Sequence, residues 1–297
     1  MKKVLVLGGV SYDTIVYLKN FFEPKPQTVF SSKMAEMVGS TGAGKSACLA
    51  KIGFSTTFHF MKGTDAYGQK IEDYLKSHGV LCISDPDPKG SERHVNIMDA
   101  EGRRISIFIS YSTFEPEFNA KRLEAEIETC DYLVMNIINY TRKMIPFAKA
   151  SGKEIWCDIH DYNGKNEYFR DYVNEADYLF MSSDSMENYQ DFMYKMIAEG
   201  KKLVVCTHGK KGACAMGQDK KMVEQPILSK YPFVDSNGAG DSFFSGFLFG
   251  YSRGYDLVGC MRFGAIAGGL CISSSEIVHP HISEQTMLKE YQELFEN

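Results

Sequence analysis

The sequence predicts an α/β fold: a three-layer sandwich on a mainly parallel central sheet, with a small antiparallel β lid. Three observations predict it. From residue 120 onward, short apolar runs alternate with helical segments, the rhythm of a parallel sheet with helices on both faces. The chain opens on a continuous apolar run, Val4–Leu7, closed by Gly8-Gly9, which suits a fully buried strand. Two stretches, 14–38 and 91–112, break the rhythm and read as extended chain.

Val4–Leu7 is the first strand. In 14–38, Ile15, Tyr17, Phe21, Phe22, Val29 and Phe30 are interrupted by Pro24 and Pro26, so this is extended structure with a turn. Gly42–Ile52 reads as a helix, with Ala47, Cys48, Ala50 and Lys51 inside it. A strand Thr56–Met61 and a helix Gln69–His78 follow. Arg93–Met98 and Arg104–Ile109 alternate around Asp99-Ala100-Glu101-Gly102, the pattern of an antiparallel hairpin with one wet face. Beyond it come helix Lys121–Glu128, strand Tyr132–Asn136, helix Ile145–Ala150 and strand Glu154–Asp158. Strands Tyr178–Met181 and Leu203–Thr207 follow, then helices Asp241–Arg253, Leu257–Ser273 and Ser283–Phe295. The two irregular stretches are expected to pair with each other over one end of the sheet. The α/β domain then comprises 1–13, 39–90 and 113–297, and the lid comprises 14–38 and 91–112.

Composition narrows the function. Of 297 residues, 44% are hydrophobic and 24% charged, enough for a large core. The net charge of -5 and the lack of Lys/Arg runs argue against a nucleic-acid partner, whose affinity rests on basic surface. An anionic ligand would have to be held locally, by backbone N–H groups and a metal. The 8 cysteines form no C-x-x-C pair and several sit in apolar runs, as reduced thiols of a cytoplasmic protein do. Met1-Lys2-Lys3 and the run after it are too short for a signal peptide, and no segment approaches the ~18 apolar residues of a membrane span.

Two glycine clusters carry the chemistry. Gly39-Ser40-Thr41-Gly42-Ala43-Gly44-Lys45-Ser46 satisfies the P-loop pattern G-x-x-x-x-G-K-[ST]. A P-loop follows a buried strand, however, and Ser31–Val38 is half polar. The P-loop reading therefore stands only as a rival, with Ile155–Asp158 as its second motif. In the other cluster, Val234-Asp235-Ser236-Asn237-Gly238-Ala239-Gly240-Asp241-Ser242-Phe243, a flexible turn feeds an apolar helix. Free N–H groups and the dipole at such a helix start make an anion site. Asp241 falls in the first turn. Taken alone, it is equally well an acid that only stabilises the helix.

The constellation decides between these. D-S-N-G-A-G-D-S-F resembles the D-T-x-G-A-G-D-x-F signature of the ribokinase family, the PfkB-type carbohydrate kinases. Gly39–Gly44 stands where that family has G-G-x-G-A-N. Ala50–Gly53 resembles its A-x-x-G, Gly63–Gly68 its G-x-D-x-x-G, and Thr207–Gly212 its T-x-G-x-x-G. Gly8 with Asp13 resembles its opening G-x-x-x-x-D. The resemblance covers essentially the whole chain. It implies phosphoryl transfer from ATP to a hydroxyl, with Asp241 as catalytic base and the amides of Gly238, Ala239 and Gly240 as anion hole. This chemistry rests on positioning and charge stabilisation. It implies further that Asp13, ending the first strand, Gly39, Thr41 and Gly42 line the acceptor site. Thr207, Gly209, Gly212, Asn237 and Gly240 lie along the nucleotide, and Asp235 binds a monovalent cation such as K⁺ or orders the anion-hole loop.

The sequence departs from the family at the acceptor. Gly44 replaces the usual Asn, and Lys45 beside it becomes a candidate substrate ligand. The family's N-x-x-E has no clean copy; Asp184 and Glu187 keep its spacing, which would set both on one helix face to hold Mg²⁺ through water. Ile138 or Asn139 stands where an acidic residue is frequent. The acceptor is thus a sugar, sugar acid or nucleoside, without a choice among them. A homodimer through the lid is expected. A catalytically idle sugar- or nucleotide-binding regulator is the rival of another class.

Overall fold

The computed structural model describes residues 1–296. Its strands are β1 Lys3–Leu7, β2 Ser11–Tyr17, β3 Lys33–Gly39, β4 Ser55–Gly63, β5 Leu81–Asp87, β6 Arg93–Met98 and β7 Arg104–Ser110. They continue with β8 Tyr132–Asn136, β9 Ile155–Asp158, β10 Tyr178–Ser182, β11 Leu203–Thr207, β12 Ala213–Gly217 and β13 Met222–Gln225. The helices are α1 Thr41–Lys51, α2 Ala66–Ser77, α3 Ala120–Thr129, α4 Asn139–Arg142, α5 Ile145–Ala150, α6 Arg170–Glu175, α7 Tyr189–Ala198, α8 Ala239–Ser252, α9 Leu257–Ile272 and α10 Glu284–Phe295.

Nine strands form one sheet in the order β13-β12-β11-β10-β9-β8-β1-β4-β5. All neighbours are parallel except β11–β12 and β12–β13. Period-two alternation splits the core into two layers. Val4, Val6, Val134, Trp156 and Phe180 pack one face against α1, α8 and α9. Leu5, Leu7, Leu133, Met135 and Leu179 pack the other against α3, α5 and α7. The strand order reverses between β1 and β8, and in open α/β sheets ligands bind beyond the strand ends at such a switch.

The second sheet has the order β3-β2-β6-β7. The two irregular stretches do pair, but the pair that joins them, β2–β6, is parallel, and only the flanking pairs are antiparallel. The connection from β2 to β6 runs through the large sheet, so the two strands are free to meet in the same direction. β2 begins at Ser11, which moves Asp13 from the end of the first strand into the small sheet.

Strands β5, β12 and β13 escape the sequence reading. β5 carries Pro86 and two aspartates, which read as a breaker; it is an edge strand paired only with β4, where proline is tolerated. β12, Ala-Cys-Ala-Met-Gly, lacks the β-branched residues that announce a strand, yet its first four residues are buried.

Candidate active site

α8 starts at Ala239 with Gly238 as its N-cap in the left-handed conformation, φ 79°. A Cβ there would strike the carbonyl of Ile277, so the turn requires glycine on two counts. At Gly240 a Cβ would meet nothing within 4 Å, so this backbone borders open space. The Ala239 amide donates to Ser236 O at 3.2 Å. The amides of Gly238, Gly240 and Asp241 find no partner among the described residues. The unpartnered amides therefore differ by one member from the expected anion-hole trio of Gly238, Ala239 and Gly240.

The loop before it is tied down. Both oxygens of Asp235, 4% exposed, accept hydrogen bonds: from the Asn237 amide at 2.8 Å and from the Tyr17 hydroxyl at 2.6 Å. Burial and this carboxylate raise the Tyr17 pKa, so the phenol stays a donor. These two contacts tie the loop to β2 and to its own backbone.

Asp241 lies in the first turn of α8 with its side chain 13% exposed. Its Oδ1 accepts from Lys45 Nζ at 2.5 Å, and the same ammonium donates to Asp158 Oδ2 at 3.0 Å. Lys45, expected at the acceptor, is 0% exposed between the two carboxylates. A Cβ at Gly44 would sit 2.8 Å from Asp241 Oδ2, so the missing Asn leaves the space that this carboxylate occupies. Residues 41–46 form the first turn and a half of α1 and not a phosphate-wrapping loop, and β3 before them belongs to the small sheet. The P-loop reading fails on both points.

The small sheet presents its inner face to this site. Alternate residues share a face, which groups Ser11 and Asp13 of β2 with His94 and Asn96 of β6, Phe108 of β7 and Gly39 of β3. Gly39 is required: a Cβ there would collide with the Asp13 carboxylate. Asn96 donates to Asp13 Oδ2 at 3.0 Å. His94 Nδ1 lies 3.3 Å from Asp13 Oδ1 without hydrogen-bond alignment, and its Nε2 lies 3.1 Å from Glu92. Asp13 Oδ1 and Ser11 Oγ are buried with no hydrogen-bond partner among the described residues. Such orphans ask for an explanation, and a bound polar ligand is one. Ser40, the N-cap of α1, adopts φ 72° and ψ 151°, a region essentially reserved for glycine.

The Ser11–Asp13 corner, Asp241 and the open amides all lie beyond the carboxyl ends of the strands flanking the switch. Thr41 donates to Asn136, the last residue of β8, at 3.3 Å, and Asp158 is the last residue of β9. The sequence matches the description "pfkB family carbohydrate kinase" over residues 1–283. The chain belongs to the pfkB family of carbohydrate kinases. The acarbose 7(IV)-phosphotransferase of an Actinoplanes species is 30% identical over 269 residues, spanning 89% of this chain and 90% of that protein. A ribokinase of Arabidopsis thaliana is 24% identical, spanning 96% and 80%. Among solved structures, the microbiome-derived acarbose kinase Mak1 superimposes with a TM-score of 0.87 at 28% identity, covering 97% of this chain and 98% of that one. Arabidopsis ribokinase complexed with ribose and ATP superimposes with a TM-score of 0.79 at 21% identity, a likeness of fold. The pfkB kinase described here is therefore an ATP-dependent phosphotransferase of the sugar and nucleoside kinase group.

The remaining expected residues fall in two places. Thr207 ends β11, and Gly209 and Gly212 bracket a short 3₁₀ turn with φ 53° and 94°. A Cβ on Gly212 would strike the carbonyl of Gln225, which fixes glycine there. Asn237 is bridged to the small sheet, accepting from Arg104 at 3.3 Å. Asp184 and Glu187 are exposed, but they do not share a helix face: the segment is a turn, with the Asp184 amide donating to Ser182 Oγ at 3.2 Å, and α7 begins only at Tyr189. Sequence reasoning missed His94, Asn96 and Glu92. Their signal was available, as polar residues at every second position of a strand otherwise carrying Val95 and Ile97.

Two consequences are measurable. Relieving Ser40 of its glycine-only conformation by Ser40→Gly is expected to raise stability by about 1–3 kcal/mol, read as a higher midpoint in urea. Burial pulls the His94 pKa down, but the carboxylates of Asp13 and Glu92 outweigh it and push it up to about 9. Since the folded value lies above the unfolded one, this contribution is fully present below about pH 6.5 and lost as pH rises through about 9. The melting-temperature lead of wild type over His94→Gln should thus shrink between pH 6 and about 10; a lead that grows would contradict the ion-paired imidazolium.

Proposed function

We propose that this kinase phosphorylates a hydroxyl, most simply a hydroxymethyl, of a sugar or sugar-like acceptor, with Asp241 as the base. The observation that carries the proposal is the convergence at the start of α8: a partly exposed carboxylate beside amides with no partner of their own, bordering the open space at Gly240. Asp241 takes the acceptor proton while the amides of Gly238, Gly240 and Asp241 itself hold the γ-phosphoryl group. Asp13, whose Oδ1 faces the His94 imidazolium but accepts no aligned hydrogen bond, and Ser11 hold acceptor hydroxyls, and Gly39, Thr41 and Gly42 shape the floor beneath them. ATP lies along Thr207, Gly209 and Gly212 towards Asn237. Magnesium accompanies the nucleotide; Asp184 and Glu187 supply exposed oxygen donors suited to holding its water shell, which would neutralise phosphate charge.

The small sheet, 14–38 and 91–112 with the start of β2, acts as the lid. Four hydrogen bonds join it to the loop before α8: Tyr17 to Asp235, Ser236 to Gly102, Arg104 to Asn237 and a weaker one from Asn237 to the Met37 sulfur. Closure of this kind excludes water from the transfer step. Its outer face is apolar, with Ile105, Ile107 and Ile109 each close to half exposed beside Val95 and Ile97. We assign that face to a second copy of the chain. Sedimentation should show a dimer that Ile107→Lys dissociates; an unchanged monomer in both would remove the assignment. The ATP requirement and eight unpaired cysteines suit the cytoplasm.

The acceptor is named by coupled ADP release across a panel containing acarbose, ribose, other sugars, sugar acids and nucleosides. Because proteins named for acarbose phosphorylation are among its relatives, glycosides are tried before nucleosides in that panel. Turnover with at least one acceptor is expected. ATP and acceptor binding without any acceptor-dependent turnover would favour the regulator reading.

A further inference from the structure

We infer that Lys45 is a positioning residue for the base, holding the Asp241 carboxylate against the end of the central sheet. The inference rests on the reading of Asp241 as base. Lys45 is fully buried, and its ammonium meets Asp241 Oδ1, Asp158 Oδ2 and, 5.2 Å away, the ring of Phe244. Asp158 is itself anchored: it ends β9, and its Oδ1 accepts from the His160 amide at 2.9 Å. A side chain on a glycine-rich helix start is thereby tied through one ammonium to the end of an interior strand of the large sheet.

The arrangement also divides the two oxygens of Asp241. Oδ1 is taken by Lys45. Oδ2 packs against Gly44 and has no hydrogen-bond partner among the described residues. Oδ2 is then the oxygen left to accept the acceptor's proton. In the transfer, the acceptor O–H bond breaks as its oxygen bonds to the γ-phosphorus, the bond from phosphorus to the ADP oxygen breaks, and the proton passes to Oδ2. Once Asp241 is neutral, a buried lysine with no other partner would be an uncompensated charge. Asp158 removes that difficulty, because it stays ionised and keeps Lys45 paired through the cycle. Burial alone would lower the Lys45 pKa, but the two carboxylates more than reverse this; burial raises and Lys45 lowers that of Asp158, with the lowering dominant. The other titratable groups facing the cluster are His160, 3.5 Å from Asp158, and the buried thiols of Cys48, Cys157 and Cys271, whose raised pKa values keep them neutral.

The test compares wild type with Lys45→Met and with Lys45→Met/Asp158→Asn, which removes both charges and leaves no unpaired carboxylate at 158. The pH dependence of kcat/KM for the acceptor, KM for ATP and thermal melts are read together. Losing a cation beside a carboxylate favours its neutral form, so the acid limb is expected to move to higher pH. A loosened carboxylate should cost on the order of 10–10²-fold in kcat, with KM for ATP little changed. A folded double variant with wild-type kcat and an unmoved acid limb overturns the inference. If neither variant folds, ¹⁵N-ammonium spectra of wild type decide: a slowly exchanging lysine signal that shifts along the acid limb supports it, and none doing so overturns it. Asp241→Asn runs in parallel. Wild-type turnover there defeats the base assignment itself, whereas an inactive Asp241→Asn beside unaffected Lys45 variants defeats only the role of Lys45.

Discussion

Asp241→Asn is expected to lower kcat by roughly 10²–10⁴-fold, the range for removing a positioned general base. The substitution is nearly isosteric, and the amide oxygen of Asn still accepts from Lys45 Nζ, which lies 2.5 Å from Oδ1. The packing around Gly44 is therefore kept and only proton acceptance is lost. KM for ATP should change little, because no expected nucleotide contact involves the carboxylate. Acceptor-dependent ADP release under saturating substrates checks the rate, and a thermal melt checks that the fold is intact. A rate within threefold of wild type would remove Asp241 from the chemistry.

Gly44→Asn is expected to damage the enzyme, although it restores the residue usual in the family. An added Cβ would lie 2.8 Å from Asp241 Oδ2 and 3.2 Å from its Cβ and Cγ. The carboxylate must swing away, and the contact to Lys45 is strained with it. Misplacing a catalytic group by about 1 Å can cost on the order of 10²-fold, so a loss of that size in kcat is expected. Stability should fall less, since the atom met first is the free end of a side chain. Unchanged or improved turnover would mean that the Asp241–Lys45–Asp158 arrangement does not matter for catalysis.

The large sheet was legible because its signal is local. Apolar runs such as Val4–Leu7 and Leu203–Thr207 are strands wherever they pair, and strand β8 fell where Tyr132–Asn136 suggested. The glycine cluster before α8 was legible for a similar reason: Gly238 adopts positive φ and has backbone packed against it, a demand that only one residue type meets. What stayed hidden was non-local. Nothing in residues 11–17 says that they will pair in parallel with residues more than eighty positions away, and this pairing carries Asp13 off the first strand and sets it beside His94 and Asn96. Likewise, Lys45 reads as a candidate substrate ligand until Asp158 and Asp241, from two other elements, close over it. The Asp184–Glu187 spacing misled because an i, i+3 relation sets a common face only inside a helix, and the helix begins after both.

In a ternary complex of the kinase with its acceptor and a non-hydrolysable ATP analogue, the reacting hydroxyl of the acceptor is expected within about 3 Å of Asp241 Oδ2, with the terminal phosphate against the amides of Gly238 and Gly240. A triphosphate enclosed by residues 39–46, or an acceptor hydroxyl far from Asp241, would contradict this expectation.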